Sequence, residues 1–215
     1  MEQIHATATK ALKYTDKDRP WPGKLAVFLL KDRAEFVDFM RHTVKKSPGE
    51  DDASFGEVRG DDAILIVGMP KGERVDPEEQ AKSEFTTMLL KRKMGAGEPP
   101  AWVHIGFAHA SAHRAIAKSR VTVRPPASAP LSYLWADGAN AQAKHNYATY
   151  VIDYMAYGPL SDSFATFVEA LRPGENGMSP SMKTVLESIK LDEATLEIAA
   201  RRWIKPPAVK PKPAR

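Results

Sequence analysis

The period of the hydrophobic positions changes several times along the chain, and each change marks an element. Residues 2–13 carry apolar side chains at helical spacing, and Trp21-Pro22-Gly23 breaks that pattern. Leu25 to Leu30 is an unbroken apolar run of strand length, which predicts a strand buried on both faces. Asp32 then has the position of a helix cap. Phe36, Val37, Phe39, Met40 and Val44 predict an apolar stripe on a helix reaching about residue 46, where Ser47-Pro48-Gly49-Glu50-Asp51-Asp52 ends it. Two strands are expected at 53–58 and 62–69, joined by a tight turn at Arg59-Gly60-Asp61-Asp62. Ala63-Ile64-Leu65-Ile66-Val67 is β-branched enough for the centre of a sheet.

After residue 76 the pattern is helical almost throughout. Asp76-Pro77-Glu78-Glu79 is a strong helix start: a capping carboxylate, a proline whose missing N–H costs nothing at the first position, and two acids at the positive end of the dipole. The helix should run to about Met94 and stop at Gly95. Ala81, Phe85 and Met88 fall on one side of it and Leu90 and Met94 on nearly the opposite side, so it is expected to be buried from two directions. Glu98-Pro99-Pro100 opens the next helix, carrying Trp102, Ile105, Phe107 and Ile116 to about Ser119. Residues 120–138, with three prolines, read as an irregular excursion. From 139 to 204 helices are expected, with breaks at Gly158-Pro159, at 173–180 with a cap at Ser179, and near Leu191-Asp192.

Charge changes the picture in one respect. The chain holds 31 Lys+Arg against 27 Asp+Glu, but residues 201–215 contain six bases and no acid, which leaves 25 bases against 27 acids in residues 1–200. The basic balance belongs to a Pro/Lys-rich tail at 205–215, read as a linker. The nearly neutral body lacks the one-signed face of a nucleic-acid binder, so no nucleic-acid partner is expected. No apolar run is long enough to span a membrane, and residues 1–14 lack the pattern of a signal peptide. With no cysteine, thiolate metal sites and thiol chemistry are excluded. No nucleophile elbow or phosphate-binding glycine loop occurs. Residues 1–204 are therefore expected to form one α+β domain, with a sheet-and-helix part at about 24–119 and a helical part at about 131–204.

The order strand, helix, two strands, buried helix, second helix and helical C-terminal half resembles the minimal gluzincin metallopeptidases, the peptidase MA-like family. Several local sequences carry the resemblance. Arg33-Ala34-Glu35-Phe36-Val37-Asp38-Phe39 is similar to the family's first helix, and Pro100-Ala101-Trp102-Val103-His104-Ile105-Gly106-Phe107-Ala108 to its P-x-W-L-x-E-G-L-A pattern. Tyr147 to Met155, Phe164 to Leu171 and Leu191 to Trp203 resemble its later helices, so the likeness spans roughly 24–204. It implies a zincin-like fold, with a small mixed sheet and a buried helix of the active-site type.

In that family the buried helix carries H-E-x-x-H, two zinc-binding histidines with a glutamate as general base, and the next helix supplies a glutamate ligand. Here Ser83-Glu84-Phe85-Thr86-Thr87 stands at the first pattern and Ile105 at the last ligand. Neutral hydroxyls are poor zinc ligands and isoleucine is none, so Glu84 has no metal-bound water to activate. The resemblance thus implies a pseudo-peptidase with no metal and no cofactor. Its former cleft, with Trp102, His104, His109, His113 and Tyr147, would be retained as a groove for a protein or peptide partner, within a larger and extracytoplasmic protein. A second reading rebuilds a metal-dependent hydrolase on Glu84, His109 and His113. The two histidines lie at i and i+4, but about 6 and 12 Å along the axis from the old ligand position. A third reading is an interaction domain of unrelated α+β descent. His5, His42 and His145 are isolated in sequence and are expected at the surface.

Overall fold

A computed structural model describes residues 2–50, 52–68, 77–117, 129–136 and 141–203. The expected helix cap at Asp76, residues 120–128 and 137–138 of the expected irregular excursion, and the tail at 205–215 lie outside them. The chain is α+β: among the described residues there is one three-stranded sheet, in the first third, with helices around and after it.

Helix α1 (Glu2–Ala11) buries Ile4, Ala8 and Ala11, three positions on one helical stripe. Strand β1 (Leu25–Leu29) follows, then α2 (Arg33–Phe39). Asp32 caps α2 as its spacing predicts, its carboxylate accepting from the Glu35 N–H at 3.0 Å. The helix continues as a wider π turn over Met40–Val44 and closes where Lys45 adopts a left-handed conformation with φ 62°. Strands β2 (Ser54–Arg59) and β3 (Asp62–Val67) form the expected hairpin, with Gly60 at φ 60° in its turn. The sheet order is β1-β3-β2. β3 is central, antiparallel to β2 and parallel to β1, with Leu25 opposite Ala63 and Leu29 opposite Val67.

Parallel pairing to β3 places β1 at an edge, which corrects the expectation that it is buried on both faces. Val27, Phe28 and Leu29 keep 43%, 39% and 64% of their surface. One face of the sheet carries a small cluster in which Phe36, Met40 and Val44 cover Ile66. The other faces the main core, but its helix, α3 (Pro77–Met94), packs over β2 and β3 and leaves β1 aside.

α3 is buried continuously from Phe85 to Leu90, between the sheet and the helices behind it. It stops at Gly95 as expected. φ there is 86°, and an added Cβ would collide with the Arg172 guanidinium, whose Nε donates to the Met94 carbonyl at 2.7 Å. α4 (Ala101–Ala117) runs back along α3 and crosses α5 (Ala141–Tyr157) closely at Gly106, where a Cβ would sit 2.7 Å from the Ala148 carbonyl oxygen. A buried bidentate pair also joins α4 and α5: Arg114 Nε and Nη2 lie 2.6 and 2.8 Å from the two Asp153 oxygens. Within the stretch read as irregular, Leu131–Leu134 forms one 3-10 turn, with Leu131 and Leu134 buried.

The breaks at Gly158 and Asp192 fall where expected, bounding α6 (Ser161–Ala170), α7 (Met182–Ser188) and α8 (Glu193–Trp203). The cap of α7 is Ser181, not Ser179: its hydroxyl accepts from the Thr184 N–H at 3.2 Å. Among the described residues no helix is long and apolar enough to cross a membrane.

Candidate functional site

The helix pair α3 and α4 positions every side chain singled out from the sequence except Tyr147, which α5 carries. The two helices pack against each other, and the Thr87 hydroxyl is engaged within α3 itself. The Ser83 carbonyl accepts from the hydroxyls of both Thr86 and Thr87, at 2.8 and 3.0 Å. Such back-bonding satisfies a buried hydroxyl inside its own helix. Thr86 is fully buried and Thr87 retains 8% of its surface. Ile105 is half-buried.

Glu84 turns from α4 towards the sheet. Its Oε2 accepts from the Ser54 hydroxyl at 2.9 Å, while Oε1 lies over Gly56 of β2. Alternation along the hairpin explains why. The Ala53 carbonyl accepts from Gly68, so Ala53, Phe55 and Glu57 address β3, whereas the backbone groups of Ser54, Gly56 and Val58 face outward. Gly56 has no side chain, so α3 can approach closely there, and a Cβ would run into Met88. Burial pushes the Glu84 carboxyl above its ordinary range; the Ser54 hydroxyl, the Lys91 charge and the Gly56 amide pull the other way.

Above this buried carboxylate a cavity of about 320 Å³ opens between β2 and α3, lined among others by Lys46, Phe55, Met88, Lys91, Arg92 and Glu98. Its charges are largely paired, with Lys91 2.7 Å from Glu98 and Lys46 2.8 Å from Glu57. His104 senses the Lys91 and Glu98 charges that also act on Glu84. Burial lowers its pKa, with the Lys91 charge adding to the effect. Burial likewise lowers that of His109, followed by the His145 charge.

No family model, curated protein or solved structure matches this chain. Geometry alone therefore describes the site. Trp102 and Tyr147, expected along a groove, are core residues with 5% and 0% of their surface exposed, and Trp102 packs against Trp135 and Phe167. Glu84, His109 and His113 are all described, and among the described residues no group of three or more His, Asp or Glu could hold a metal ion. His145 looks isolated in sequence, yet its charge lowers the pKa of both His104 and His109 from the neighbouring helix α5. Ser54 and Gly56 do not stand out in the sequence either. The only signal for those two was a strand glycine two residues after a serine, a pattern that marks close backbone approach.

Proposed function

We propose that this chain is a non-catalytic binding module with the layout of a minimal zinc peptidase, its cleft between β2 and α3 serving a peptide or protein partner. The observation that carries the reading is the state of Glu84. A general base must reach a water and hand on a proton, whereas this carboxylate is spent on Ser54 beside the Gly56 backbone. Thr87 spends its hydroxyl on its own helix, and Ile105 has no donor atom. Further support comes from the order of elements, a small mixed sheet with a long buried helix followed by helices. Occupancy by an extended segment suits the cavity beside β2, where Val58 presents outward backbone groups and Arg92 lies at the wall. On the same reading the chain is one module of a longer, extracytoplasmic protein.

The test is metal analysis of protein prepared without chelators, together with a peptide-hydrolysis assay. The expected result is neither stoichiometric metal nor turnover, while peptides selected from a random library bind and lose affinity on Arg92→Glu. Stoichiometric zinc that disappears with His109→Ala or His113→Ala would overturn the proposal in favour of a rebuilt hydrolase.

A further inference from the structure

The exposed edge of the sheet, remote from the cleft, carries a separate inference. Backbone bonds fix which atoms of β1 face outward. The Lys24 carbonyl accepts from Ala63 and the Leu30 N–H donates to Val67, both at 2.8 Å. Even-numbered residues therefore address β3, and the N–H and C=O groups of Leu25, Val27 and Leu29 point away from the sheet. Among the described residues no strand pairs with that edge. Sheet edges are ordinarily guarded by charge, proline or a bulge, and Leu25–Leu29 contains none of these.

We infer that this edge pairs with a second copy of the chain, antiparallel about a two-fold axis at Val27, so that two three-stranded sheets become one of six. Only outward-facing residues exchange bonds in such a pair, so odd positions must meet odd positions. With Val27 on the axis, Leu25 meets Leu29 of the second copy, and Ala26 meets Phe28, small against large. Charge selects this register. Just beyond the strand, Gly23 meets Lys31 of the second copy. The space above Gly23 that a side chain would fill is taken by the Asp62 carboxylate, and Lys31 is exposed. The dimer thus sets each Lys31 against Asp62 of the other copy, twice over, while Lys24 meets Leu30 and no like charges stand opposite. A slip of two residues would set Lys31 against Leu25 or Trp21 and forfeit both pairs. That reciprocity favours a second copy over an unrelated strand.

Sedimentation equilibrium of the full chain over a concentration series is expected to show a reversible monomer–dimer equilibrium. Val27→Pro removes only an outward N–H and leaves the ladder to β3 intact. It should raise the dimer dissociation constant about thirty-fold, the equivalent of two lost backbone hydrogen bonds. A cross-link tests the register independently, because the chain has no cysteine of its own. Val27→Cys places two thiols on the axis with Cα atoms about 5.5 Å apart, within disulfide reach. Leu29→Cys places them about 14 Å apart, although Leu29 is the more exposed residue. Oxidation should link the first variant and not the second. A chain that stays monomeric throughout the series, a dimer indifferent to Val27→Pro, or equal cross-linking of the two cysteine variants would each overturn the inference.

Discussion

The Arg114–Asp153 pair gives the sharpest energetic test of how the helical half is held. The Asp153 side chain is 2% exposed and that of Arg114 19%, and their two bonds lock α4 to α5. Arg114 also lies 5.7 Å from the Tyr157 ring centre, and the Tyr157 hydroxyl sits 2.6 Å from that of Ser111. Asp153→Ala strands a guanidinium with four-fifths of its side chain out of water. Breaking a buried pair from one side costs about 3–5 kcal/mol, and the residual access of Arg114 to solvent places this one near the lower end, about 3 kcal/mol. For a chain of this length each kcal/mol moves the midpoint by about 2–4 °C, so Tm should fall by about 6–12 °C. Replacing both partners, Arg114→Met with Asp153→Leu, removes the stranded charge and keeps a sulfur near the Tyr157 ring. It should come within about 1 kcal/mol of the parent. Urea unfolding followed by far-UV circular dichroism measures all three chains. A loss below about 1 kcal/mol in the single variant, or a double variant at least as damaged as the single one, would refute the reasoning.

Three further outcomes are expected. Gly106→Ala should cost about 1–3 kcal/mol, because its Cβ meets the Ala148 carbonyl and Ile152, and main chain cannot swing aside; thermal unfolding reads this, and a neutral result would contradict the close crossing of α4 and α5. Glu84 has a folded pKa raised mainly by burial, so its ionisation weakens the fold as pH rises from its unfolded value through its folded one. The stability of Glu84→Gln relative to the parent should therefore be most favourable at neutral pH and decline on acidification, and a pH-independent difference would count against burial as the cause. His104 is shifted the other way. The unfolded chain takes up its proton first as pH falls through the ordinary histidine value of 6.5, so the parent loses stability there, and His104→Gln should lose less.

Much of the fold was legible because it depends on local chemistry. The Asp32 cap, the turn at Gly60, the stop at Gly95 and the break at Gly158 each follow from one residue's backbone preferences. Burial of β1 was misjudged because an apolar run records what a strand could bury, whereas the number of its neighbours is set by pairing order. The cap of α7 moved from Ser179 to Ser181 because the Gly174 N–H bonds the Met178 carbonyl and carries the loop past Pro180 before the helix begins. At the site, the positions of Ser83, Glu84 and Thr87 on a buried helix were readable from spacing. The partner of Glu84 was not: the bond goes to a serine thirty residues earlier, on the strand that faces α3. His145 was missed for the same reason, since a helix packing against α4 from the far half of the chain leaves no mark near His104.

The mixed sheet also implies an order of assembly. β2 and β3 are joined by a two-residue turn, so their ladder closes over a short loop, whereas β1 reaches β3 only after α2 and β2 have been passed. The hairpin can form early and dock on α3 through Gly56. β1 joins last, covered only by the contact of Phe28 with Phe39 and by Leu25 against the main core, and should be the first strand to detach. Its inward amides, Ala26, Phe28 and Leu30, should then exchange with solvent through a partial opening well below the cost of global unfolding, and before those of β3.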